Sequence, residues 1–154
     1  MLVDVRRFPG SRRHPQFSQA TLFALLKTVG IEAVWREGLG GRRRPLRESV
    51  NTGWRNESFR GYADYMQTQA FAVEIEWLAG LAEIEKTAVM CAESLPWRCH
   101  RSLIADAMVA RGVEVEDVFV KPDGESSRKP HALTAFAQVR DGRVWYPKEP
   151  VLFV

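Results

Sequence analysis

Short apolar runs rich in β-branched residues alternate along this chain with longer stretches whose apolar residues recur every three or four positions. The run "LVDV" (2–5) predicts a strand ending near Val5, and "FPGSRRHPQ" after it is dense in turn signals. Ser18 stands where a helix cap is expected. Leu22, Leu25, Leu26 and Val29 follow at helical spacing, with Gly30 in the usual stop position. "IEAVWRE" (31–37) predicts a second strand, and "GLGGRRRP" (38–45) the loop leaving it. Residues 46–57 are polar and irregular without repeats, which predicts an ordered excursion. Phe59, Tyr62, Ala63 and Met66 share one helical face, as do Phe71, Ile75, Leu78 and Ala82, so two helices are expected, about 58–67 and 70–84.

"TAVMC" (87–91) predicts a third strand. Leu103, Ile104, Ala107 and Met108 mark a further helix stopped by Gly112, and "VEVEDVFV" (113–120) predicts a fourth strand. "PDGESSRKP" (122–130) reads as a surface loop, and "AFAQVRDGRVWYP" as a β-hairpin turning at Asp141-Gly142. This alternation defines an α/β protein: a small Rossmann-like parallel sheet flanked by helices, with a C-terminal β-hairpin, in one domain over 1–154. In such sheets the strand-to-helix loops gather on the carboxyl edge, where ligands bind. "DVRRFPGSRRHP", "REGLGGRRRP" and "CAESLPWRCHR" each follow a predicted strand, so they should meet in space.

Composition adds to this picture mainly through charge. The hydrophobic content of 45% suits a globular domain, and the net charge of +3 is modest. Its distribution is uneven, because residues 1–60 hold 12 Lys/Arg against 5 Asp/Glu, whereas residues 61–154 hold 10 against 14. The basic half points to an anionic partner: a phosphorylated small molecule, a nucleotide, a nucleic acid or an acidic protein surface. No apolar run approaches the ~18 residues that span a bilayer, and "MLVDVRRFPG" lacks a signal-peptide core, so a cytoplasmic protein without membrane contact is expected. Two cysteines make no disulfide framework and should be thiols there.

The candidate chemistry centres on "MCAESLPWRCHR" (90–101). A thiol phosphatase needs an arginine where Trp97 stands, and Arg98 lies one position too far. Cys91, at a strand end, reads as a small buried apolar residue. Cys99 falls near a helix start with Arg98, His100 and Arg101 beside it, a setting that favours thiolate, though packing alone also accounts for it. His100 reads as a general acid/base, an anion contact or a helix-start residue held by a backbone carbonyl. Zinc would recruit Cys91, Cys99, His100 and Glu93, but ligands paired two to four residues apart are missing, so no metal is expected. Glu93 and Asp4, both at strand ends, suit acid/base work or pairing with arginine; two such carboxylates also suit glycosidic-bond chemistry.

Gly40, Gly41 and Arg42 in "GLGGRRRP" let backbone and guanidinium approach an anion, although the spacing is neither a Walker loop nor a dinucleotide fingerprint. Arg6, Ser11, Arg12, Arg98 and Arg101 complete the expected ligand-binding set, with Asp4, Glu93, Cys99 and His100 as the catalytic candidates. Trp54 and Trp97, in predicted loops, are candidates for stacking on bases, whereas Tyr62 belongs to a core face.

The stretches "DVRRFPGSRRHPQF", "LGGRRRP", "FRGYADYM", "MCAESLPWRCHRSLIADAMVARG" and "HALTAFAQV" together resemble the domain of unknown function 488 family over nearly the whole chain. What the resemblance implies is limited, because the family name records no activity. Family members begin with a further strand, a Gly-His-Ser-like turn and a helix; here Met1 falls almost directly before "DVR". Either the chain is shortened or a piece of the family's pocket is absent. A second copy covering the exposed sheet edge is one way to complete it. Three classes of function remain open: an enzyme on a phosphorylated or nucleotide-like substrate, a nucleic-acid-binding module, and a protein-interaction domain with no small ligand. No cofactor is implied.

Overall fold

A computed structural model describes residues 1–149. Three short strands, β1 (Leu2–Asp4), β2 (Ala33–Trp35) and β3 (Ala88–Met90), form a parallel sheet in the order β2-β1-β3. Parallel strands need crossovers, and helices supply them: α1 (Gln19–Thr28) between β1 and β2, α2 (Glu57–Tyr65) and α3 (Gln69–Ile84) between β2 and β3. α4 (Arg101–Val109) follows β3. Leu2 pairs with Ala33 on one side and Ala88 on the other, so the chain reverses its direction across the sheet at β1. That reversal opens a crevice at the carboxyl ends of β1 and β3.

Val3 and Val5 are fully buried and meet Tyr62, Ala63, Phe71, Ile75, Leu78, Leu103 and Ile104 in one core. The apolar faces expected on α2 and α3 therefore pack as the spacing implies, with Ala82 half-buried at the far end of α3. α1 departs from expectation. Of the four spaced apolar residues in it and at its C-cap only Leu22 is buried, while Leu25 is 60% and Val29, the cap, 66% exposed. Spacing identifies a face but not whether a second layer covers it. Ser18 occupies the cap position, yet its hydroxyl bonds Thr21 Oγ1 instead of a backbone N–H.

The last third differs from the expected alternation. The predicted fourth strand forms as β4 (Glu116–Val120), but it pairs antiparallel with β5 (Ser126–Pro130) outside the parallel sheet. β5 is made from residues expected to be loop. Every one of its side chains is exposed, so burial left no alternating pattern to read. The terminal hairpin is as predicted: β6 (Gln138–Arg140) and β7 (Arg143–Trp145) turn at Asp141 and Gly142, whose φ of 51° and 71° are the left-handed pair a two-residue turn requires.

The polar excursion 46–57 is ordered by one buried acid. Asp64 on α2 accepts from Leu46 N (2.8 Å), Ser49 Oγ (2.6 Å) and Asn51 Nδ2 (2.8 Å). Asn51 in turn accepts from Tyr146 N, which ties the excursion to the C-terminal hairpin. Trp54 does not stand free as a stacking platform. It stacks on Phe59 at 4.8 Å and meets Phe136 and Tyr146 edge-on or tilted. Tyr62 is a core residue, as expected.

Candidate functional site

All three predicted loops reach one pocket of about 360 Å³ at the carboxyl edge. The loop after β1 brings Arg6, Arg7 and Phe8; that after β2 brings Gly41 and Arg42; that after β3 brings Cys91, Ala92, Glu93, Arg98, Cys99 and His100. The start of α2 adds Asn56, Ser58 and Phe59, which the sequence reading did not single out. Asn56 is the helix cap, its Oδ1 accepting from Ser58 N and Phe59 N.

Asp4 does not line this pocket. It is fully buried and is occupied by Arg6, whose backbone N, Nε and Nη2 donate to its two oxygens at 2.6–3.1 Å. Arg6 also donates Nη1 to Phe17 O at 2.6 Å. This buried ion pair with its extra hydrogen bonds fixes the loop after β1. Glu93 is thus the one carboxylate among the lining residues, and a two-carboxylate glycosidic arrangement has only half its groups here. Ser11 and Arg12 also stay outside the lining; Ser11 Oγ accepts from His14 N, closing a turn. Gly40 lies behind the wall, where an added Cβ would sit 2.9 Å from Glu37 O.

The three arginines of the Gly-Arg loop divide their tasks. Arg43 lies over the Tyr65 ring at 3.7 Å and donates Nε to Gly40 O, so it serves the scaffold. Arg44 is exposed. Arg42 lines the pocket with φ 58°, a left-handed conformation costing a non-glycine residue on the order of 1 kcal/mol and characteristic of functional sites. Its guanidinium lies 5.4 Å from the centre of the Phe8 ring. Among the described residues neither Arg42 nor Arg98 has a carboxylate partner, whereas Arg7 lies 3.6 Å from Glu37.

At the floor of the pocket, Cys99 sits just before α4 and is almost wholly buried. Its sulfur receives Arg101 N at 3.5 Å and Arg101 Nε at 3.3 Å, and His100 Nδ1 lies 3.7 Å away. Arg101 is braced by a second bond to Glu93 O. The Cys91 thiol beside it, then His100 and the Arg101 N–H, hold Cys99 well below the usual thiol range despite burial. Cys91 moves the opposite way, pushed up by its hydrogen bond to Cys99 and by burial. The two thiols titrate together, and the hydrogen bond between them together with His100 and the Arg101 N–H favours charge on Cys99. Sequence reading assigned Cys91 to packing, because two thiols eight positions apart carry no local signature of contact.

Cys91, Cys99 and His100 also bring three ligand atoms within 4.8 Å of one another, a clustering that the expected ligand spacing had argued against. His100 Nε2 is buried with no hydrogen-bond partner among the described residues, and the ring leans on Tyr62 at 4.9 Å. The surrounding charge opposes a dication: four arginines and one carboxylate line the pocket, and Arg101, outside that lining, already aims its N–H groups at the Cys99 sulfur. Behind the imidazole is Gly41, where an added Cβ would lie 2.8 Å from His100 Nδ1. Gly41→Ala is therefore expected to turn the imidazole away from Cys99 and to raise the midpoint of the pH profile for Cys99 alkylation by iodoacetamide. An unchanged midpoint would show that His100 does not support the thiolate.

A small α/β protein with an arginine-rich, cysteine-floored pocket at its topological switch is the class that this geometry defines. The family model "Domain of unknown function DUF488" matches residues 1–108, and the chain belongs to that family. The matched span includes all the residues lining the pocket. No curated protein and no solved structure matches the chain. Among the described residues no helix is long and apolar enough to cross a membrane.

Proposed function

We propose that this pocket binds a phosphorylated or nucleotide-like small molecule and acts on it as an enzyme. The observation that carries the reading is the convergence of Arg42 and Arg98, from two different strand-end loops, on one pocket, where among the described residues neither has a carboxylate partner. Guanidinium groups held this way match phosphate oxygens in bidentate fashion. Phe8 and Phe59 on the same wall offer apolar surface to a base or sugar face, and the start of α2 adds polar groups beside them. In this reading Cys99 serves as the nucleophile, supported by His100 and Arg101 at its sulfur, and Glu93 in the same lining serves as the proton-transfer group.

Thermal unfolding against mononucleotides, phosphorylated metabolites and short oligonucleotides, at low and moderate salt, tests this. A ligand at a hundred times its Kd adds about 2.7 kcal/mol to stability. One mononucleotide-like compound should shift the transition and keep doing so at moderate salt. Arg98→Ala should weaken that compound by about tenfold or more, in line with ~1.5–3 kcal/mol for a hydrogen bond to a charged group. A second reading is favoured by the exposed Arg12, Arg13, Arg44 and Arg47 and by the exposed Trp97 ring, which extend the basic, aromatic character past the pocket. Shifts with oligonucleotides alone that vanish as salt rises would select this nucleic-acid reading.

A further inference from the structure

We propose that Cys99 and Cys91 are a redox pair that reduces hydroperoxides, Cys99 taking the oxygen and Cys91 closing a disulfide with it. The inference rests on the placement of both sulfurs in the wall of one open pocket, within 4.8 Å of each other. Reaction with a peroxide needs a sulfur that carries charge, a route in for a small oxidant, and a second thiol close enough to resolve the product. Each requirement has its residue. Arg101 meets the first by aiming two N–H donors at the Cys99 sulfur, and its bond to Glu93 O keeps it there. The pocket meets the second: Cys99 is almost wholly buried, but it is one of the residues lining that open pocket, which is the way in for a small oxidant. Cys91 meets the third. It is the residue directly after β3, in a segment outside regular secondary structure, so its side chain can turn without breaking the sheet.

The chemistry closes without remainder. The Cys99 thiolate attacks the terminal oxygen of a hydroperoxide; an S–O bond forms, the O–O bond breaks, and the departing alkoxide or hydroxide takes up a proton. Cys99 is now a sulfenic acid, oxidised by the two electrons that the peroxide has gained. Cys91 loses its proton and attacks the Cys99 sulfur; the S–S bond forms, the S–O bond breaks, and hydroxide leaves with that proton as water. A dithiol then exchanges with the disulfide and returns both cysteines to the reduced state. The same geometry speaks against metal as the purpose of the cluster, because the counter-charge to the thiolate is already present as Arg101.

The test uses the full chain, reduced, desalted and without nucleotide, so that its outcome is independent of ligand binding. On adding hydrogen peroxide in equimolar amount, both thiols should disappear together, and peptide mapping should place an intrachain bond between Cys91 and Cys99. The rate should exceed that of free cysteine by about tenfold or more. Dithiothreitol should then sustain continuous peroxide consumption. Cys91→Ser should accumulate a dimedone-reactive sulfenic acid on Cys99, and Cys99→Ser should leave Cys91 inert. Oxidation at the free-cysteine rate, or bonds only between chains, would overturn the proposal. So would stoichiometric zinc in the isolated protein that shields both thiols until a chelator removes it. Should either serine variant fail to fold, the peptide map and rate of the unaltered chain decide the matter.

Discussion

Gly61→Ala is expected to destabilise the protein by about 3 kcal/mol or more, near or beyond the upper end for an overpacked site. Gly61 lies in the middle of α2, where alanine would ordinarily gain about 1 kcal/mol from helix propensity. Packing outweighs propensity here. An added Cβ would stand 2.2 Å from Arg43 O and 2.6 Å from Arg44 C, and those atoms are backbone, unable to swing aside like the tip of a side chain. Relief would require α2 to lift from the Gly-Arg loop, carrying Arg42 away from the pocket. Urea unfolding should show a lower midpoint with the slope unchanged. Gly80, in α3, provides the contrast: it is exposed and an added Cβ meets nothing within 4 Å. Gly80→Ala should therefore stabilise by about 0.5–1 kcal/mol. If Gly61→Ala stabilised the protein as Gly80→Ala should, the close approach at Gly61 would be wrong.

A loss of similar size is expected for Asp106→Ala, about 3–5 kcal/mol, because it strands a buried partner set. Asp106 is fully buried on α4 and accepts from His131 Nε2 (3.0 Å), Thr134 N (3.1 Å), Thr134 Oγ1 (2.7 Å) and Tyr146 Oη (2.8 Å). His131 is shared with Asp117 at 2.9 Å. The hydrogen bond to Asp106, and after it that to Asp117, raises the imidazole above its usual value against the opposing effect of burial. A group whose folded value is raised holds its proton more tightly in the native state. Its contribution is full below the unfolded value of about 6.5 and disappears as pH rises through the folded one. The unaltered protein should thus lose stability across that window on the alkaline side of about pH 6.5. Asp106→Asn should flatten the slope as well as lower the overall level. A slope that survived replacement of both Asp106 and Asp117 by Asn would mean that another group titrates.

The positions of the loops were legible because short β-branched runs end abruptly in glycine, proline and arginine, and three such endings in a parallel sheet must share an edge. The Asp141-Gly142 turn was legible for an equally local reason, its demand for positive φ. What could not be read depends on contacts between distant segments. β5 has no buried face, so "SSRKP" looks like loop until β4 lies beside it. The exposed side of α1 carries residues as apolar as its packed side. Asp4 looks like a candidate acid until its two oxygens are seen to be taken up by Arg6. Cys91 shows its partner only once β3 and the start of α4 are folded. Asp106 and His131 sit 25 positions apart, and nothing in either neighbourhood announces the other.

The position of β1 between β2 and β3 also governs the order in which the molecule can assemble during synthesis. β1 precedes both of its neighbours in the chain and can pair with β2 once Ala33 to Trp35 has emerged. Its other edge must wait for Ala88 to Met90, a delay on the order of seconds at ribosomal speed. During that interval one side of a buried strand has open hydrogen-bonding groups. The cysteine loop follows directly on the segment that ends the wait. The two thiols can therefore meet only once the third strand and the loop after it have emerged, well after the first strand has found its first partner.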